Sequence, residues 1–132
     1  MPIQTQSDRQ RVLSAQVEIN FNDLVSGVAG NAIKLPNNAV VVGCGVHVLM
    51  PFNSATSDTL SIGDAALPTR HISAVNIKSA GAGFIGTRSG KRTTQPEWLT
   101  ATWTGAGAAP TAGKVLVTVE YVISGAGDGN QD

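Results

Sequence analysis

The chain has 132 residues, and its nine Lys+Arg are matched by nine Asp+Glu, so the formal net charge is zero. Only 14% of residues are charged, against roughly 25% in ordinary soluble domains. This argues against the basic surface that bulk nucleic-acid or anionic-membrane binding needs, and a near-zero charge favours association. One cysteine, Cys44, excludes an intrachain disulfide framework, so a core must come from apolar burial.

Residues 1–11 are polar and lack the apolar run of a secretory leader; they read as an arm ahead of the fold. From 13 to 21 the pattern has period two. Leu13, Ala15, Val17, Ile19 and Phe21 alternate with Ser14, Gln16, Glu18 and Asn20, which predicts a strand with one buried and one wet face. Ser26, Gly27, Gly30 and Asn31 mark a loop, and Ile33 and Leu35 a short extended piece before the Pro36-Asn37-Asn38 turn. Residues 39–50 predict a long strand. Val40, Val42, Cys44, Val46, Val48 and Met50 share one face, and Val41, Gly43, Gly45, His47 and Leu49 the other. Two apolar faces imply a central strand covered on both sides, its glycines leaving room for a close backbone or a bulge.

Short strands are expected at 59–62 and 71–77. Residues 78–95, rich in glycine, serine, threonine and basic side chains, read as one exposed loop or hairpin. The stretch 98–104 (Trp98, Leu99, Thr100, Ala101, Thr102, Trp103, Thr104) suits a pleated surface. The last strand places Val115, Val117, Val119, Tyr121 and Ile123 on one face. Residues 124–132 have no periodic apolar residues and are expected to be a disordered tail. No stretch has helical spacing beyond one turn at 23–29, and no apolar run is long enough to span a bilayer as a helix. Seven or eight short strands separated by turns predict an all-β, single-domain β-sandwich over 12–123, of jelly-roll or immunoglobulin-like Greek-key topology.

The chemical motifs are weak. Gly81-Ala82-Gly83-Phe84-Ile85-Gly86 matches G-x-G-x-x-G, but no helical pattern follows to receive a pyrophosphate. Gly90-Lys91 lacks both the upstream glycine and the Ser or Thr of a phosphate loop. His47 and His71 are the only histidines, too few for a metal site. His47 reads as a partly buried structural residue, and His71 as a hydrogen-bonding residue near a strand start. Ser61, Asp64 and His71 make a triad only on paper, without a nucleophile elbow. Cys44 in its valine run reads as buried and inert. Asp58 and Asp64 bracket a strand at a spacing unlike a calcium loop and read as turn formers. The expectation is a protein that is not an enzyme and carries no cofactor and no metal. Arg88, Lys91 and Arg92 form the basic cluster, and Arg9 and Arg11 stand where the arm joins the first strand; these five are the candidate partner-binding residues, suited to carboxylates on an acidic partner.

Two stretches carry a resemblance. Leu35-Pro36-Asn37-Asn38-Ala39-Val40-Val41-Val42, followed by the run from Phe52-Asn53 to Gly63-Asp64-Ala65, resembles small virion structural proteins of tailed bacteriophages, as does the ending from Thr111-Ala112-Gly113 to Glu120-Tyr121-Val122. The resemblance implies a capsid decoration, or cement, protein made in the host cytoplasm and placed on the capsid exterior. It would bridge subunits of the major capsid protein as a homo-oligomer, with a trimer favoured. The alternative is a carbohydrate- or receptor-binding β-sandwich of a phage fibre or tail, with Trp98, Trp103 and Tyr121 as stacking surfaces. Buried aromatics favour assembly; aromatics exposed together in a groove favour a ligand.

Overall fold

Eight strands follow one another: β1 (Leu13–Asn20), β2 (Ala29–Leu35), β3 (Ala39–Met50), β4 (Ser57–Gly63), β5 (Ile72–Asn76), β6 (Gly83–Ile85), β7 (Glu97–Ala106) and β8 (Lys114–Ile123). The computed structural model describes residues 12–86 and 90–123. The expected arm 1–11 and tail 124–132, and with them Arg9, Arg11 and Arg88, lie outside the described residues.

The strands form two antiparallel four-stranded sheets, ordered β1-β8-β3-β6 and β2-β7-β4-β5. β1 pairs with β8, β2 with β7, β3 with β6 and β4 with β5, as in one long hairpin folded over on itself. The joins β3–β8 and β4–β7 close each sheet. That order is a jelly roll, one of the two topologies left open by the sequence.

Alternation decides what the two sheets bury. Val115, Val117 and Val119 of β8 face Leu99, Ala101 and Trp103 of β7 and Leu60 and Ile62 of β4 within one core cluster. Each fully buried aliphatic side chain contributes about 1.5–3 kcal/mol relative to exposure. The expected face of β8 is buried as far as Val119, with Tyr121 and Ile123 half-buried.

β3 departs from the simple alternation. Its register against β8 shifts between Val41 and Gly43, so Ala39 and Val41 are buried in phase with Cys44, Val46 and Val48. A bulge inserts one residue and flips every later side chain; Val40 and Val42 therefore do not share the face of Cys44. A second shift after Val48 leaves Met50 exposed. Nor is β3 covered on both sides, since His47 and Leu49 of its outer face are exposed. The reading of His47 as partly buried falls with this. Cys44 is buried as expected, and desolvation pushes its thiol up to about 11.

Residues 78–95 do not form a single exposed loop. Gly83–Ile85 pairs with Gly45–His47 of β3, and Val40 bridges to Arg92. Thr93 is buried; its hydroxyl donates to Pro36 O at 2.6 Å and accepts from Ala39 N at 2.9 Å. The glycine motif at 81–86 thus lies in and around an edge strand and opens no helix, the context that pyrophosphate binding requires.

The connections fall at two ends of the sandwich. Those after β1, β3, β5 and β7 are tied together at one end: Phe21 N–H donates to Gly113 O, Phe52 N–H to Ile77 O and Ala55 N–H to Ala108 O. Those after β2, β4 and β6 gather at the other, where Asn38 N–H donates to Thr93 O.

Candidate functional site

β4 runs from one end to the other with an aspartate at each. Asp58, 1% exposed, accepts from Ser54 N at 2.9 Å, Ser54 Oγ at 2.6 Å and Trp103 Nε1 at 2.8 Å. Lys78 Nζ lies 3.7 Å from its Oδ2 and also donates to Ser54 O. The role of turn former is met through Ser54, and Trp103 and Lys78 extend it across three elements of the chain. Trp103, packed at 5.9 Å between ring centroids on Phe52, is therefore a core residue and no stacking platform.

Asp64 closes the other end. Arg70 Nε approaches it at 2.6 Å, Lys91 Nζ at 2.9 Å, and Leu67 N donates to Oδ1 at 2.8 Å. Lys91 continues to Glu97 at 3.3 Å. Burial opposes the charge on Asp64, yet the hydrogen bonds from Arg70, Lys91 and Leu67 and the Lys91 charge outweigh it and hold the carboxyl well below the usual range.

This placement sorts the sequence candidates. Lys91 stands among intrachain carboxylates, while Arg92 pairs its backbone with Val40 and exposes its side chain. The residues of the paper triad have other bonds. Ser61 Oγ accepts from Ala74 N at 2.9 Å, Asp64 holds two cations, and His71, buried, donates its backbone N–H to Ile62 O.

The three aromatics considered as stacking surfaces do not gather. Trp103 is in the core, Tyr121 sits half-buried in the other sheet, and Trp98 is 42% exposed on the outer face of β7. The two tryptophans take opposite faces because Trp98 is in phase with Thr100, Thr102 and Thr104, and Trp103 with Leu99 and Ala101. That phase was readable in the sequence; what β2 and the loop after β4 bring beside Trp98 was not. Asn31 pairs with Thr100 and Lys34 with Trp98, and Lys34 Nζ lies 5.9 Å from the Trp98 ring centroid. Residues 64–66 and 95–96 wall off a groove of about 330 Å³ around Asn31, Trp98 and Thr100.

The two outer faces contrast with this groove. On the sheet of β4 and β7, Thr59 pairs with Thr104 and Ser61 with Thr102, a hydroxyl-lined face with no charge on those four residues. On the opposite sheet, Gly43 and Gly45 floor a groove of about 490 Å³ edged by Ile85, which is 93% exposed. Exposed apolar side chains also mark the loop after β1, at Val25 and Val28. Among the described residues no cluster of His, Cys, Asp and Glu is arranged to hold a metal ion.

The fold recurs in solved bacteriophage capsids. A chain of the capsid asymmetric unit of cyanophage Pam1 superposes with a TM-score of 0.70 at 23% identity, over 93% of this chain and 92% of that one. A chain of the acidic stable capsid of Helicobacter pylori bacteriophage KHP30 gives 0.65 at 17% identity, over 84% and 86%. One from the capsid of Ralstonia phage GP4 gives 0.61 at 20%, over 92% and 88%. No protein-family model and no curated protein matches the sequence. At these identities the likeness is one of fold, and it extends over nearly the whole of each chain.

Proposed function

We propose that this protein is a non-enzymatic structural component of a bacteriophage virion that decorates a capsid and stabilises it by bridging capsid subunits. The observation that carries the reading is the jelly roll shared over 93% of the chain with a chain of the cyanophage Pam1 capsid. The neighbours match over 86–92% of their own lengths, so they too are short chains built around one such sandwich. The surface suits assembly. It combines zero net charge, an uncharged hydroxyl face and isolated apolar side chains such as Ile85, Val25 and Leu49, which lets many weak contacts form with little desolvation of charge.

A decoration protein acts by linkage: binding only the assembled shell stabilises that shell by the free energy of occupancy. Arg9, Arg11, Arg88 and Arg92 are proposed to meet acidic groups of the major capsid protein on the capsid exterior, with Lys91 contributing less because Asp64 and Glu97 already hold it. The protein would work as a homo-oligomer, with a trimer favoured. The test is to add it to undecorated heads and measure co-sedimentation and the temperature at which heads rupture. Binding that raises that temperature supports the proposal. Wild-type protein that neither binds nor protects heads overturns it. If it binds while neutralised Arg88, Lys91 and Arg92 change neither rate nor salt dependence, the role stands and the contact residues are others.

A further inference from the structure

The groove beside Trp98 lies on the outer face of β7, at the Asp64 end of the sandwich. We propose that it binds a neutral saccharide, with Trp98 as the stacking platform and the Thr100 hydroxyl as a hydrogen-bonding group.

Two independent observations point to a ligand there. Trp98 leaves 42% of its surface to solvent on a strand whose other large side chains are buried, and Lys34 Nζ lies 5.9 Å from the centroid of its ring. Thr100 is 4% exposed, lines the groove, and its Oγ1 has no hydrogen-bond partner among the described residues. Buried hydroxyls are normally satisfied, and Thr100 Oγ1 would become so if its side chain turned toward a donor or acceptor held in the groove. Asn31 and Gln95 add amide groups able to donate and accept.

Electrostatics selects the ligand class. The charges around the groove are each engaged: Arg70 and Lys91 with Asp64, Lys91 again with Glu97, and Lys34 with the Trp98 ring. An anion would meet the carboxylates of Asp64 and Glu97, and a cation would meet Lys91. A neutral ligand with one flat apolar face and several hydroxyls meets neither penalty, and a pyranose has that form. The volume, about 330 Å³, lies at the small end of ligand sites and suits one or two sugar rings.

The experiment titrates the native protein with methyl glucoside, methyl galactoside and N-acetylglucosamine, and follows the two indole N–H signals by NMR. Trp103, bonded to Asp58 in the core, is the internal control. The expected result is a saturable shift of the Trp98 signal with at least one sugar, an unmoved Trp103 signal and no dependence on salt. Trp98→Ala should weaken binding, read by calorimetry, by roughly tenfold. Thr100→Val, which deletes a hydroxyl that has no partner in the free protein, should weaken it by about threefold or more with an undiminished melting temperature. No saturable Trp98 shift with any of the three sugars overturns the proposal. So do equal shifts of both tryptophans, or an affinity that Thr100→Val and Trp98→Ala both leave unchanged.

Discussion

Asp58 and Asp64 stand at opposite ends of β4, six positions apart, and solve the same problem by different means. Asp58 is enclosed, and its main partners are a serine and an indole N–H, with Lys78 at 3.7 Å. Asp64 has two close cations, the side chains of which keep 21% and 28% exposure. The Asp58 end therefore relies on short-range hydrogen bonds buried in the core, whose loss leaves donors stranded. The Asp64 end relies on charge near solvent, where screening weakens each pair and pH can undo it. The groove proposed to take a ligand lies at the second end. The first end is packed for stability.

The largest expected effect is Asp58→Ala. It strands the Trp103 indole N–H and the Ser54 N–H and leaves Lys78 without its carboxylate, and should cost about 3–5 kcal/mol in denaturant unfolding. A cost below that of Asp64→Asn would break the comparison. Val119→Ala, in the core between the two ends, should cost about 1–3 kcal/mol at every pH, whereas Glu120→Ala on the exposed face should stay within about 0.5 kcal/mol.

Asp64→Asn should cost on the order of 1–2 kcal/mol at neutral pH. The sign of its pH dependence follows from the depressed carboxyl. The unfolded chain binds the proton more readily, so the contribution is complete above the ordinary carboxylate range near pH 4 and declines as pH falls below it. Urea melts from pH 7 to 2 should show wild type losing this part and the variant lacking it; a variant profile as steep as wild type would refute the assignment. Cys44, raised to about 11 by burial, should resist a thiol reagent in the native state at both pH limits of folding, and rapid native labelling would show the β3 bulge to be misplaced. The smallest effect belongs to the exposed Glu18–Lys114 pair at 3.6 Å. Lys114→Ala should change stability by less than about 0.5 kcal/mol, and a larger loss would mean surface charge matters as much as the Asp64 cluster.

What the amino-acid sequence determined by itself was whatever depends on neighbours along the chain. Most of β1, β7 and β8, the inward valines of β8 and the burial of Cys44 were legible because side chains alternate with period two whatever the strand pairs with. The opposite faces of Trp98 and Trp103 follow from the same rule. Only the tertiary structure decided the rest. Jelly-roll order over an immunoglobulin-like key is set by which strands pair across the sandwich, and spacing does not encode it. The β3 bulge, which turned Val40 and Val42 away from Cys44, arises from register against β8. Lys91 reads as a loop cation until the fold carries Asp64, 27 residues earlier, to within 2.9 Å. Asn31 and Thr100 become neighbours only through the β2–β7 ladder. Each is a long-range contact, and its energy comes from desolvation and geometry that exist only once the two sheets have closed.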